Sequence, residues 1–211
     1  METEISVYCC KKNYTFVPIP SESIETIYNL LFNNKISEPE TDIEMLYYGL
    51  YNKIRSDDEK AIKYFQMAIE HGNRYAMFNM AVICKDLDDL VNMKKYYLMA
   101  TGKGLIQAWN QLKQYYKEYD VVEYFVQNNN YEGFENILGI ILTENHAPCE
   151  KIVEYLAKYG HYLSDKCHPM IKLLYNATQE IDLTELQCNF TEPYKGCEEA
   201  ICAYLEAIAT I

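Results

Sequence analysis

Five side chains in one stretch are of the types that do chemistry: His146, Cys149, His161, Cys167 and His168. A thiol three residues from an imidazole, at a helix start whose dipole favours thiolate, could be an activated nucleophile or half of a metal site. The remaining spacing argues against both. Cys167 and His168 are adjacent, so their side chains diverge on any helix, and no Cys-x-x-Cys pair occurs in the chain. The plainer expectation is structural cysteines, with a small metal- or redox-dependent module on His146–His168 as the alternative. Four histidines, no glycine-rich phosphate loop, no serine elbow and no His-Glu-x-x-His predict a protein without catalysis or cofactor.

Charge narrows the partners. Acids outnumber bases 31 to 19, a net charge of −12. Nucleic acid and anionic membranes are bound by Lys and Arg neutralising phosphates, so neither is the expected partner. A basic protein surface is what this field attracts, and an acidic decoy for a nucleic-acid-binding surface is a further alternative. Apolar runs such as Ile137 to Leu142 fall far short of the roughly 20 residues that span a membrane. The opening "METEISVYCCKK" lacks the charge pattern of a secretory signal, so the chain reads as cytoplasmic, with its eight cysteines reduced.

The 21 tyrosines cluster as Tyr47-Tyr48-Tyr51, Tyr96-Tyr97 and Tyr115-Tyr116-Tyr119. Neighbours on a helix diverge by about 100°, so one of each adjacent pair is expected to leave the buried stripe. Tyrosine supplies contact area with a polar tip, which suits interfaces. A composition rich in Tyr, Asn, Ile and Lys is also what an AT-rich genome writes, as in giant DNA viruses of amoebae or AT-rich intracellular bacteria. A viral source would place the protein in the host cytoplasm.

These side chains must be held by helices, and the helices repeat. Tyr64-Phe65 aligns with Tyr96-Tyr97, Ala68 with Ala100, Gly72 with Gly104 and Ala76 with Ala108, all at a period of 32. Ala61, Tyr64, Phe65, Ala68 and Ile69 form one apolar stripe, acids open the segment, and His71-Gly72 closes it. "RYAMFNMAVICK" supplies a second helix. An αα-hairpin this small cannot cover its own apolar face, so stacking is the physical reason to repeat it. After Lys117 the rhythm continues in "VVEYFVQNNN", "YEGFENILGIILT", "PCEKIVEYLAKYGHYL" and "HPMIKLLYNATQ", with Leu138-Gly139 standing where Met80-Ala81 stand. Pro148 is expected at a first helical position and Gly160 at a helix cap.

The pattern Asp57, Glu59, Lys60, Ala61, Tyr64, Phe65, Ala68, Gly72, Ala76, Asn79 and Met80 resembles the SEL-one-like repeat, a relative of the tetratricopeptide repeat. Gly49 occupies that family's glycine slot, and "RSDD" and "DLDD" are trimmed forms of its interhelical loop. The resemblance implies an all-α, right-handed solenoid of about five helix pairs over 42–180. Residues 1–41 would be an extended or β-hairpin segment with a capping helix, and 181–211 a C-terminal capping region. It further implies a scaffold or adaptor presenting a concave surface, lined by leading helices, to a protein or peptide. Tyr47, Tyr51, Phe78, Trp109 and Tyr116 are the expected contacts, with Asn79 and Asn110 as polar ones; for Phe78, packing between repeats is the stronger expectation.

Overall fold

The computed structural model describes residues 2–3, 6–9, 12–15, 19–20, 39–145 and 150–180. The expected capping helix over 21–34, the pair His146 and Cys149, Pro148 and the C-terminal region 181–211 lie outside them. Near the amino terminus, β1 (Glu2–Thr3) pairs antiparallel with β4 (Ile19–Pro20), and β2 (Ser6–Cys9) with β3 (Lys12–Thr15), Val7 opposite Tyr14. From residue 39 onward every regular element described is helical. These are α1 (Asp42–Ile54), α2 (Asp58–Glu70), α3 (Arg74–Asp86), α4 (Leu90–Gly102), α5 (Ile106–Leu112), α6 (Glu118–Gln127), α7 (Tyr131–Asn145), α8 (Glu150–Tyr159) and α9 (Pro169–Glu180), with a 3-10 turn at Gly160–Tyr162. Among the described residues no helix is long and apolar enough to cross a membrane. The chain divides into two compact units, Met1–Val121 and Val122–Ile211, with the boundary inside α6.

In the first unit, consecutive helices pack on one another. Helices α1 to α4 are each 13 residues long and start at 42, 58, 74 and 90, and α5 starts at 106. The step is therefore 16 residues, half the sequence period. One three-residue turn, used four times, sets it. Its middle residue is left-handed: Ser56, Gly72, Asp88 and Gly104 have φ of 61°, 83°, 57° and 78°. The middle N–H donates three residues back and the next N–H five back, as in Ser56 to Lys53 (3.0 Å) and Asp57 to Asn52 (2.9 Å). These are the two bonds that close a Schellman cap.

The residue that closes one helix also opens the next. Asp57 accepts from the Lys60 N–H (3.2 Å), Asn73 from Tyr75 (3.0 Å) and Ala76 (2.9 Å), and Asp89 from Asn92 (3.1 Å). Leu105 has no such group, and α5, which it opens, runs only seven residues. Thr41 opens α1 with a full capping box: its hydroxyl accepts from Glu44 N–H (3.2 Å), and Glu44 accepts from the Thr41 N–H (3.0 Å). Hydrogen bonds from the Thr41 and then the Glu40 N–H hold the Glu44 carboxyl below its usual range.

The buried stripe follows the period. Ala61, Phe65 and Ala68 on α2 and Met93, Tyr97 and Ala100 on α4 are almost wholly enclosed. Gly49 lies against the Phe65 ring, which a Cβ at that position would meet, and Ala81 fills the slot 32 residues later. The tyrosine pair on α1 departs from expectation: Tyr47 and Tyr48 are both buried. Tyr48 leaves the stripe but meets the Tyr64 ring of α2 at 5.2 Å, so the neighbouring helix covers it. Lys53, its side chain 9 % exposed, ties α1 to Asp58 (3.1 Å) and Asp86 (3.5 Å).

The second unit keeps the turn once. Asn129 has φ 54°, Asn130 N–H donates to Phe125 (2.8 Å), and the Asn130 side chain accepts from Gly133 N–H (2.9 Å). Gly133, not Gly139, is the close-packed glycine: a Cβ there would stand 2.7 Å from Phe125, whereas nothing lies within 4 Å at Gly139. Gly160 is not a left-handed cap either. It starts the 3-10 turn after α8 and faces the Tyr175 ring of α9, which excludes a side chain. Pro169 opens α9, as its missing N–H permits. Glu123 of α6 accepts from Tyr159 (2.8 Å) and Lys158 (3.1 Å) of α8.

Candidate binding cleft

On α1 and its C-cap, Tyr48, Tyr51, Asn52 and Arg55 fall at i, i+3, i+4 and i+7 and so share one face. On α2 and its cap, Asp57, Lys60 and Tyr64 do the same. Together these seven residues line an open cleft of about 540 Å³ beside the α1–α2 turn. That size is typical of a pocket for a small molecule or one or two side chains.

The walls are aromatic and the rim is charged in both signs. Tyr48 and Tyr64 lean together at 54°. Arg55 donates to the Tyr51 hydroxyl (3.1 Å) with its guanidinium 5.4 Å from that ring. Lys60 pairs with Asp57 at 2.8 Å. The buried Asn52 amide donates to the Tyr48 carbonyl (2.7 Å), which fixes it as a wall rather than a free donor. Burial pushes the Tyr48 hydroxyl up, with Tyr64 and Glu44 adding to it. Lys60, through its side chain and then its N–H, holds Asp57 below the usual carboxylate range, and Asp57 in turn raises Lys60. All three shifts move a group away from neutral pH, which suits contact more than proton transfer.

Of the partner contacts expected from sequence, only Tyr51 lines this cleft. Tyr116 is half-buried at a second cluster, where the Lys94 ammonium sits 5.4 Å from its ring and 5.3 Å from that of Tyr115. Tyr47, Phe78 and Trp109 lie in the core at 2 %, 7 % and 2 % exposure, Phe78 edge-on to Tyr97 at 5.2 Å. Asn79 donates to the Tyr75 carbonyl of its own helix (2.8 Å), and Asn110 is exposed. Arg55 and Lys60 were missed as site residues. The polar and aromatic stripe Tyr48-Tyr51-Asn52-Arg55, opposite the apolar face of α1, was the signal that could have found them.

Within the His/Cys stretch, His161 and His168 are exposed and Cys167 is buried. Burial, reinforced by Glu135, pushes the Cys167 thiol up to about 11, so it stays protonated at neutral pH, unlike a metal-binding or nucleophilic thiolate. Among the described residues no three His, Cys, Asp or Glu side chains are grouped to hold a metal ion.

The fold is thus that of a helical protein whose consecutive helices pack together. No family model matches the chain, and neither a curated protein nor a solved structure does.

Proposed function

We propose that the chain is a non-catalytic adaptor that binds a basic segment of another intracellular protein, in the host cytoplasm if its source is viral. In this reading the first unit is a trimmed αα-repeat of the SEL-one-like, tetratricopeptide-related kind, its leading helices α1, α3 and α5 lining a concave face. The observation that carries the proposal is the open tyrosine cleft beside the α1–α2 turn. Tyr51 offers area and a hydroxyl there, and Arg55 and Lys60 are already engaged by Tyr51 and Asp57. The net charge of −12 supplies the attraction for a basic segment.

A pull-down from the cell of origin tests it. One or a few proteins with basic segments should be recovered, and capture should weaken as salt rises, since exposed charges are screened beyond about 8 Å at physiological ionic strength. Tyr51→Ala with Tyr116→Ala should weaken capture while leaving the helical signal unchanged. Capture that ignores both salt and the two substitutions sinks the proposal.

A further inference from the structure

The turn between α3 and α4 has the same backbone as that between α1 and α2, yet carries different residues. Leu87, Leu90 and Val91 stand 65 %, 51 % and 79 % exposed. At the equivalent positions 32 residues earlier, the α1–α2 turn has Arg55, Asp58 and Glu59. The two turns share their left-handed residue, Ser56 or Asp88, and the same pair of closing hydrogen bonds. The fold therefore does not require apolar side chains here. Three neighbouring large apolar groups in water, on a turn that folds with charged ones, form an unpartnered patch.

Its frame says what would cover it. Asp86, Asp88 and Asp89 interleave with the three apolar residues; Lys53 of α1 pairs with Asp86 at 3.5 Å and Lys85 is adjacent, so the negative frame rests on Asp88 and Asp89. A second copy of this chain would bring the same aspartates and a net charge of −12 against the same frame. The chain's own apolar end, Cys197 to Ile211, carries Glu198, Glu199 and Glu206 and no lysine or arginine. Both are disfavoured by like charge. An apolar segment bearing Lys or Arg fits both the patch and its frame.

We infer that Leu87, Leu90 and Val91, framed by Asp88 and Asp89, form a docking surface for a basic amphipathic segment of a partner protein. The inference rests on the reading of the chain as a binder of basic segments, but places a contact outside the tyrosine cleft. The decisive variant is supplied by the chain itself: Leu87→Arg, Leu90→Asp and Val91→Glu together install the residues the same turn already carries in α1–α2. The probe is a fluorescent synthetic peptide of leucine and lysine at helical spacing, with leucine–glutamate and serine–lysine peptides as controls, read by anisotropy.

Wild type should bind the leucine–lysine peptide at least about tenfold more tightly than either control, and the triple variant should lose about tenfold in affinity at unchanged circular dichroism. The variant is one charge more acidic, so a purely electrostatic contact would not weaken in this way. Ser164→Ala, at an exposed position of the second unit, should leave this affinity unchanged. Binding that the triple variant keeps and Tyr51→Ala loses overturns the patch and leaves the cleft standing. No binding by wild type overturns the patch, as does a wild-type dimer that the triple variant dissolves.

Discussion

Exchanging two turn residues tests the 16-residue step directly. Ser56 and Gly72 occupy the same position in successive turns, both left-handed, at φ 61° and 83°. A residue with a Cβ costs about 1–2 kcal/mol there relative to glycine, partly offset by the chain entropy that glycine loses on folding. Nothing lies within 4 Å of a Cβ built at Gly72, so no packing term enters. Gly72→Ser should therefore destabilise by about 1 kcal/mol, and Ser56→Gly should stabilise by about the same amount. In a unit of this size that is a shift of roughly 4 °C in Tm, down for the first and up for the second. The two sites are at opposite ends of α2, about 20 Å apart at 1.5 Å per residue, so the double variant should return to wild type. Urea unfolding followed by circular dichroism measures all three. A neutral Gly72→Ser or a destabilising Ser56→Gly would refute the left-handed assignment of the turns.

Two further predictions concern packing and titration. Gly49→Ala should lower stability because its methyl meets the enclosed Phe65 ring, whereas Gly139→Ala, in open space on α7, should raise it by about 0.8–1.0 kcal/mol through helix propensity; thermal melts of the two variants should move in opposite directions. Burial pushes the Tyr97 hydroxyl up to about 12 and the Cys167 thiol up to about 11. Folded values above the unfolded ones mean stability that is fully present below the unfolded values and is lost as pH rises, from 9.0 to about 11 for Cys167 and from 10.0 to about 12 for Tyr97. Tyr97→Phe, the residue type found at the equivalent Phe65, should flatten that alkaline loss in urea titrations at stepped pH; an unchanged slope contradicts the burial of this ring.

The 32-residue period was visible because Ala68 and Ala100, Gly72 and Gly104, and Ala76 and Ala108 do the same packing and turning in each copy. The 16-residue step beneath it was hidden. Hydrogen bonds of the backbone carry it, and its middle position accepts Ser, Asp, Gly or Asn alike. Thr41 and Glu44, three residues apart, spell the capping box that opens α1. The candidate site was legible only at Tyr51. An apolar stripe shows which face of a helix is covered first, not whether another helix covers the second face, so Tyr47 and Trp109 could not be told from surface residues, whereas packing was already the stronger expectation for Phe78. Arg55 and Lys60 read as turn and repeat residues because the cleft exists only once α1 and α2 are folded against each other.

Placing a photo-reactive phenylalanine analogue at position 51 tests the central claim most directly. In cells of origin, illumination should join this position to a basic segment of another protein, identified by mass spectrometry of the adduct, and the adduct should fade as salt rises in extracts. The same analogue at exposed Ser164, in the second unit, should give no such adduct. Adducts at 51 with acidic segments, adducts indifferent to salt, or no protein adduct at all would contradict the account.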